Sequence, residues 1–149
     1  MPLSVTKAIL PAALAGLFAL APCRGDAAPP AVLTITVEHV SPQGGDLRVA
    51  LYDKDSYGLA NGDPVTDAVV PAKSPETVIT LAAVKPGIYA VKMFQDVNRN
   101  GQFDMNWIGY PLERYGFSND VRPGFSEPPF DATKFELHPG ANAITIHLQ

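Results

Sequence analysis

Apolar and polar residues alternate along Leu33-Thr34-Ile35-Thr36-Val37-Glu38, and again along Leu47-Arg48-Val49-Ala50-Leu51-Tyr52. Successive side chains of a strand point to opposite faces, so each run buries one face and wets the other. Gln43-Gly44-Gly45-Asp46 lies between the runs and reads as a turn, which predicts a hairpin of these two strands. Further strands are expected at Thr77–Leu81, Ile88–Phe94, Phe130–Leu137 and Ala143–Leu148, with turns at Lys85-Pro86-Gly87 and His138-Pro139-Gly140. After residue 27, no stretch carries an apolar stripe at helical spacing for three turns. Short strands separated by Gly and Pro turns predict an all-β chain. The architecture expected is an antiparallel β-sandwich of about seven strands with long loops.

The first 27 residues differ in kind. Lys7 precedes an apolar run from Ala8 to Ala21 that is broken only by Pro11 and Gly16. Such a run is short for a bilayer span and has the form of a secretory signal peptide. Gly25-Asp26-Ala27 places small residues at −3 and −1, so cleavage is expected after Ala27. The chain then divides into a signal peptide, 1–27, and a single β-sandwich domain, 28–149. Cys23 follows Pro22, a poor fit to a lipoprotein signal, so a periplasmic or secreted protein is expected rather than one lipidated at Cys23. No cysteine lies beyond residue 27, which excludes a disulfide, a thiol nucleophile and a thiolate metal site from the domain. Loss of the leader removes Lys7, Arg24 and Asp26 and moves the formal charge from −4 to −5. That acidity argues against nucleic acid, whose phosphates call for a basic face. No later segment is apolar enough to cross a membrane.

The densest chemical signal is Asp96-Val97-Asn98-Arg99-Asn100-Gly101-Gln102-Phe103-Asp104. Oxygen-bearing side chains stand at positions 1, 3 and 5, glycine at 6 and an acid at 9, the spacing of a calcium loop. Asp96, Asn98 and Asn100 offer side-chain oxygens, Gln102 its backbone carbonyl, and Asp104 a direct or water-mediated ligand. Gly101 permits the left-handed turn. Position 12 is Trp107 where an EF-hand has a bidentate glutamate, and no helices flank the loop. Glu113, Asp120, Asp53 or Asp55 could complete the shell. Two carboxylates and neutral amides predict weak affinity, roughly 10⁻⁴ to 10⁻³ M. The competing reading is a metal-free turn held by Asx hydrogen bonds.

Two long segments read as irregular. Asp53–Pro75 reads as a solvated connection, with a short helical turn near Asp67. Asp96–Pro129 is richer, because eight of the thirteen aromatic residues fall between Phe94 and Phe130. Those rings either pack the segment onto the sandwich or form an open aromatic groove for a sugar or peptide. Trp107, Tyr110 and Tyr115 are the candidate contacts of such a ligand surface.

Catalytic signals are thin. His39, His138 and His147 are scattered, and neither His-x-His nor His-Glu-x-x-His occurs. Ser118 and Ser126 read as turn residues. Glu113 beside Arg114 reads as an exposed ion pair, and His147 as a solvent-facing strand residue.

Three segments stand in a fixed order: Val84-Lys85-Pro86-Gly87-Ile88-Tyr89-Ala90-Val91, then Asp96–Asp104, then Ile108-Gly109-Tyr110-Pro111-Leu112-Glu113-Arg114-Tyr115-Gly116-Phe117-Ser118-Asn119. Together they resemble the bacterial exported domain-of-unknown-function family 2141. The resemblance covers essentially the whole of the domain, and its Gly-Phe-Ser-Asn piece is the more specific part. It implies an exported Ig-like or transthyretin-like sandwich with no settled activity. The function expected is therefore non-enzymatic: a monomer whose calcium-stabilised Asp/Asn loop shapes a surface for an unknown protein or glycan partner. A carbohydrate- or peptide-binding module on the aromatic 103–130 segment is the alternative, and a hydrolase the third.

Overall fold

The computed structural model describes residues 28–149, so the expected leader, its cleavage point and Cys23 lie outside the described residues. The strands are β1 (Ala31–Glu38), β2 (Asp46–Tyr52), β3 (Thr66–Pro71), β4 (Thr77–Val84), β5 (Gly87–Asp96), β6 (Tyr115–Phe117), β7 (Phe135–Leu137) and β8 (Gly140–His147). Two four-residue helices, α1 (Lys54–Tyr57) and α2 (Phe130–Thr133), and a 3-10 turn, Ser118–Asp120, sit in the connections. One sheet has the order β4-β1-β8; the other runs β3-β2-β5-β6, with β7 paired to the start of β5.

The two sheets face each other across one core. The alternation read from sequence holds residue by residue: Leu33, Ile35 and Val37 of β1 and Leu47, Val49 and Leu51 of β2 are buried. Ile79 and Leu81 of β4, Val91 and Met93 of β5, and Ile146 of β8 close the layer. Each such side chain, moved from water to the core, stabilises the fold by roughly 1.5–3 kcal/mol. Among the described residues, no helix is long and apolar enough to cross a membrane.

Several local expectations are corrected. β1 and β2 do not form a hairpin. β1 pairs with β4 and β8, whereas β2 pairs with β3 and β5 in the opposite sheet. Both arrangements bury the same alternate residues, so periodicity cannot separate them. A buried side chain holds the connection. Gln95 accepts from the Ser41 backbone N–H at 2.8 Å and donates to the carbonyls of Ser41 and Gly44 at 3.0 and 2.7 Å. It anchors the linker to β5 and carries the chain across to the other sheet. Gly45, at φ +83°, lies where a Cβ would stand 2.2 Å from the Asp96 carbonyl oxygen, so the turn there admits only glycine.

All strand pairings are antiparallel except β1 with β8, which run side by side in the same direction. The Asp53–Pro75 segment contains a strand, β3, and its helical turn is at Lys54–Tyr57 rather than near Asp67. β3 is paired along its whole length with β2, and pairing of that length rescues a strand whose own propensity, with Asp67 and Pro71, is poor. The strand expected at Phe130–Leu137 begins as α2 and becomes β7 only at Phe135.

Candidate functional site

Asp96 ends β5 and is fully buried. Its Oδ2 accepts from Arg48 Nε at 2.6 Å and from the Gly101 N–H at 2.8 Å, and its Oδ1 accepts from the Asn100 N–H at 3.0 Å. Burial pushes its pKa up, but hydrogen bonds from Arg48, Gly101 and Asn100 and the Arg48 charge outweigh that and hold it below the ordinary carboxylate range. The loop then folds on its own amides. Asn98 Oδ1 accepts from the Asn100 N–H at 3.0 Å, and Asn100 Oδ1 accepts from the Gln102 N–H at 2.8 Å. The side-chain amides of Asn98 and Asn100 both donate to the Asp104 carboxylate, at 2.6 and 3.0 Å. Arg99 (φ +60°) and Gly101 (φ +80°) supply the left-handed residues, with the Arg48 guanidinium lying over Gly101.

Glu113 closes the segment. It is 8% exposed, with Oε1 accepting from the Val97 N–H at 3.0 Å and Oε2 from the Asp104 N–H at 3.1 Å. It forms no exposed pair with Arg114, which donates instead to the His39 carbonyl at 2.9 Å. The spare acceptor capacity of a carboxylate is better used on two orphan N–H groups than on a solvated cation. Glu113→Gln replaces one acceptor oxygen by a donor facing one of those N–H groups. It is expected to cost about 1 kcal/mol and to speed hydrogen exchange at Val97 and Asp104.

The structure thus gathers Asp96, Asn98, Asn100, Gln102, Asp104 and Glu113 into one loop. It leaves out the other candidate ligands. Asp53 caps α1 through the Ser56 N–H at 2.9 Å, beyond the end of β2 opposite to the one that meets Asp96. Asp120 accepts from the His147 N–H and lies 2.7 Å from its Nδ1. Asp46, which sequence did not single out, is beside the loop: it is paired with Asp96 across the sheet and 3.3 Å from Arg99 Nε. Among the described residues, no three His, Cys, Asp or Glu side chains form a metal cage, so the donor set depends on the two asparagines.

Between Asp104 and Leu112 the chain doubles back as a tight hairpin. Leu112 N–H donates to the Asp104 carbonyl at 2.9 Å, and Asn106 N–H to that of Tyr110 at 2.8 Å. Asn106 Oδ1 caps the tip by accepting from the N–H groups of Ile108 and Tyr110. This hairpin is one wall of a groove of about 910 Å³ over the outer face of the five-stranded sheet. The groove's floor has two cross-strand rows, Asp67–Ala50–Lys92–Phe117 and Val69–Arg48–Phe94–Tyr115. Phe103 at the hairpin base packs against Phe94 and Tyr115 with ring centroids 5.5 and 5.6 Å apart, and Tyr115 meets Phe117 at 6.1 Å. The second wall is the loop bearing Pro123–Glu127. Tyr110 and Tyr115 line the groove, whereas Trp107, 95% exposed at the hairpin tip, does not.

Sequence reading missed the groove's charged residues. Arg48 and Lys92 appear in it only as wet-face positions of two strands, and the pairing register is what sets them in adjacent rows of one floor. The serines and histidines behave structurally. Ser118 is buried, accepts from the Val91 N–H at 2.9 Å and donates to the Thr133 carbonyl at 2.5 Å. His147 faces solvent from β8, its side chain 40% exposed and held between Asp120 and Glu38, and the hydrogen bond to Asp120 is the main cause that raises its pKa.

Two packed sheets, short helices confined to connections and a surface built on loops define a small β-sandwich module. The chain belongs to the family described as an uncharacterized protein conserved in bacteria (DUF2141), whose model matches residues 35–145. No curated protein and no solved structure matches it.

Proposed function

We propose that this is an exported, non-enzymatic binding module whose groove takes a carbohydrate, and whose Asp/Asn loop binds calcium to brace one wall of that groove. The observation that carries the reading is the shared wall: the loop ending at Glu113 is continuous with the hairpin that brings Tyr110 over the sheet floor. Phe94, Tyr115 and Phe117 offer flat faces to the C–H faces of a sugar ring, and Asp67, Arg48 and Lys92 offer partners for hydroxyls, the usual mix of a small-molecule site. The non-enzymatic reading is supported by Ser118, whose hydroxyl is spent on two backbone groups, and by His147, whose nitrogens face two carboxylates.

Calcium fits the donor chemistry. An oxygen-only set suits a hard cation. Asn98 Oδ1 and Asn100 Oδ1 each accept one N–H and so keep a lone pair. Asp96 and Asp104 would supply the charge, Gln102 its carbonyl, and Glu113 the supporting contacts. Thermal melting in excess calcium and in chelator tests this. At one hundred times Kd the shift corresponds to roughly 2.7 kcal/mol, and equal midpoints in the two buffers would sink the calcium part. A glycan panel read by calorimetry tests the groove. A short acidic or neutral peptide binding where no glycan does would favour the peptide reading.

A further inference from the structure

Lys92 stands on the floor of the groove with its side chain 21% exposed. Its Nζ lies 4.6 Å from the Tyr52 ring centroid and 4.1 Å from that of Tyr57, and it donates to the Tyr57 carbonyl at 2.5 Å. Its remaining partner is a carboxylate oxygen, Glu127 Oε1, at 2.5 Å. The two kinds of partner differ in how they are held. Tyr52 is on β2, and Tyr57 is a buried residue of α1 whose hydroxyl donates to the Pro128 carbonyl at 3.0 Å. Glu127 comes from the second wall, and among the described residues the backbone of residues 123–127 makes no hydrogen bond outside its own neighbours. Phe125 in the same stretch is fully exposed. The ammonium is thus fixed by the scaffold, and the carboxylate on it comes from the end of a loop whose next residue, Pro128, is tied to Tyr57 through its carbonyl.

We propose that Lys92 is a carboxylate receptor for the groove's ligand, that Glu127 occupies it in the ligand's absence, and that the ligand is a saccharide bearing uronic-acid groups. This rests on the carbohydrate reading of the groove and narrows it to an acidic sugar. The chain's own Glu127 shows that a carboxylate fits on this ammonium between aromatic rings. A uronate carries that group directly on a ring able to stack on Phe117 or Tyr115, next to Lys92 and along the same floor. Binding exchanges one carboxylate for another on Lys92 and frees Glu127 to water. The apparent affinity is therefore the intrinsic one multiplied by the fraction of molecules in which the intramolecular pair is open.

Calorimetry of the protein in calcium-free and in calcium-saturated buffer, with trigalacturonate, with neutral galactotriose and with hexaglutamate, tests the proposal. Trigalacturonate is expected to bind at least tenfold tighter than galactotriose. Glu127→Gln is expected to tighten it a further roughly fivefold to tenfold, and the neutral sugar by clearly less. Lys92→Met, checked for an unchanged melting midpoint, removes the preference. Equal binding of the two sugars overturns the acidic specificity and leaves the groove reading standing. Equal binding of hexaglutamate and trigalacturonate overturns the saccharide. No binding of any probe fells both readings. Glu127→Gln needs no folding allowance because Glu127 is half-exposed, and unchanged or weaker uronate binding in that variant overturns the occupancy of Lys92 by Glu127.

Discussion

Asp96→Ala is expected to lower stability at neutral pH by about 4 kcal/mol, read as a fall in the urea midpoint at unchanged slope. The carboxylate is buried and takes Arg48 and two backbone N–H groups at once. Removing it strands a half-buried guanidinium and two donors, and the loss of a buried partner costs far more than an exposed pair contributes. Asp96→Asn keeps the shape but not the charge, and is expected to recover only part of the loss. The pH dependence has a definite sign. The pKa of Asp96 is depressed in the folded state, so its contribution is complete above the unfolded value near 4 and declines as pH falls through the folded value. Wild type therefore loses stability below about pH 4 more steeply than Asp96→Asn. A variant as stable as wild type at pH 7, or identical acid limbs, would show that Arg48 and the loop amides find other partners.

Gln95→Leu is expected to cost about 3 kcal/mol, although leucine is the more apolar residue and the site is completely buried. The side chain fills one donor and two acceptor needs of the Ser41–Gly44 linker. Leucine leaves the Ser41 N–H and two carbonyls without partners beside the core. Native-state hydrogen exchange locates the damage: the Ser41 amide exchanges fast in the variant while the Ile35 amide tracks global unfolding. Retained protection at Ser41 would mean that the linker is held by its own turn and not by Gln95.

These two side chains also mark where sequence reading ended. The core faces of β1 and β2 were legible because Leu33, Ile35, Val37, Leu47, Val49 and Leu51 repeat with period two, and burial follows that period directly. The partner of each strand was not legible. A period of two is satisfied by a hairpin and by two strands facing across a sandwich, and the linker between them is held by Gln95, a single polar residue within an otherwise ordinary strand. β3 was hidden because Asp67 and Pro71 depress its propensity while its pairing with β2 supplies the order. The Asp/Asn loop was legible because its hydrogen bonds are local, between residues two to six apart. Its anchors, Arg48 and Asp46, lie about fifty positions away and became visible only through the register of β2 with β5. The charged floor of the groove was not legible for the same reason: Lys92, Arg48 and Asp67 come from three strands, and no spacing along the chain records that they share a floor.

The side-by-side run of β1 and β8 governs how the molecule can be assembled in time. Ala31 meets Gly140 and Glu38 meets His147, so the first strand waits for the last, more than a hundred positions later. A long loop must close before that ladder returns any favourable contact, and chains dominated by such distant pairings fold slowly, in milliseconds to seconds. During synthesis β1 can find β4, but its other edge stays open until β8 emerges. An open edge is a template for another chain, and the growing polypeptide therefore passes through a period of vulnerability to misassociation that ends only when β8 docks.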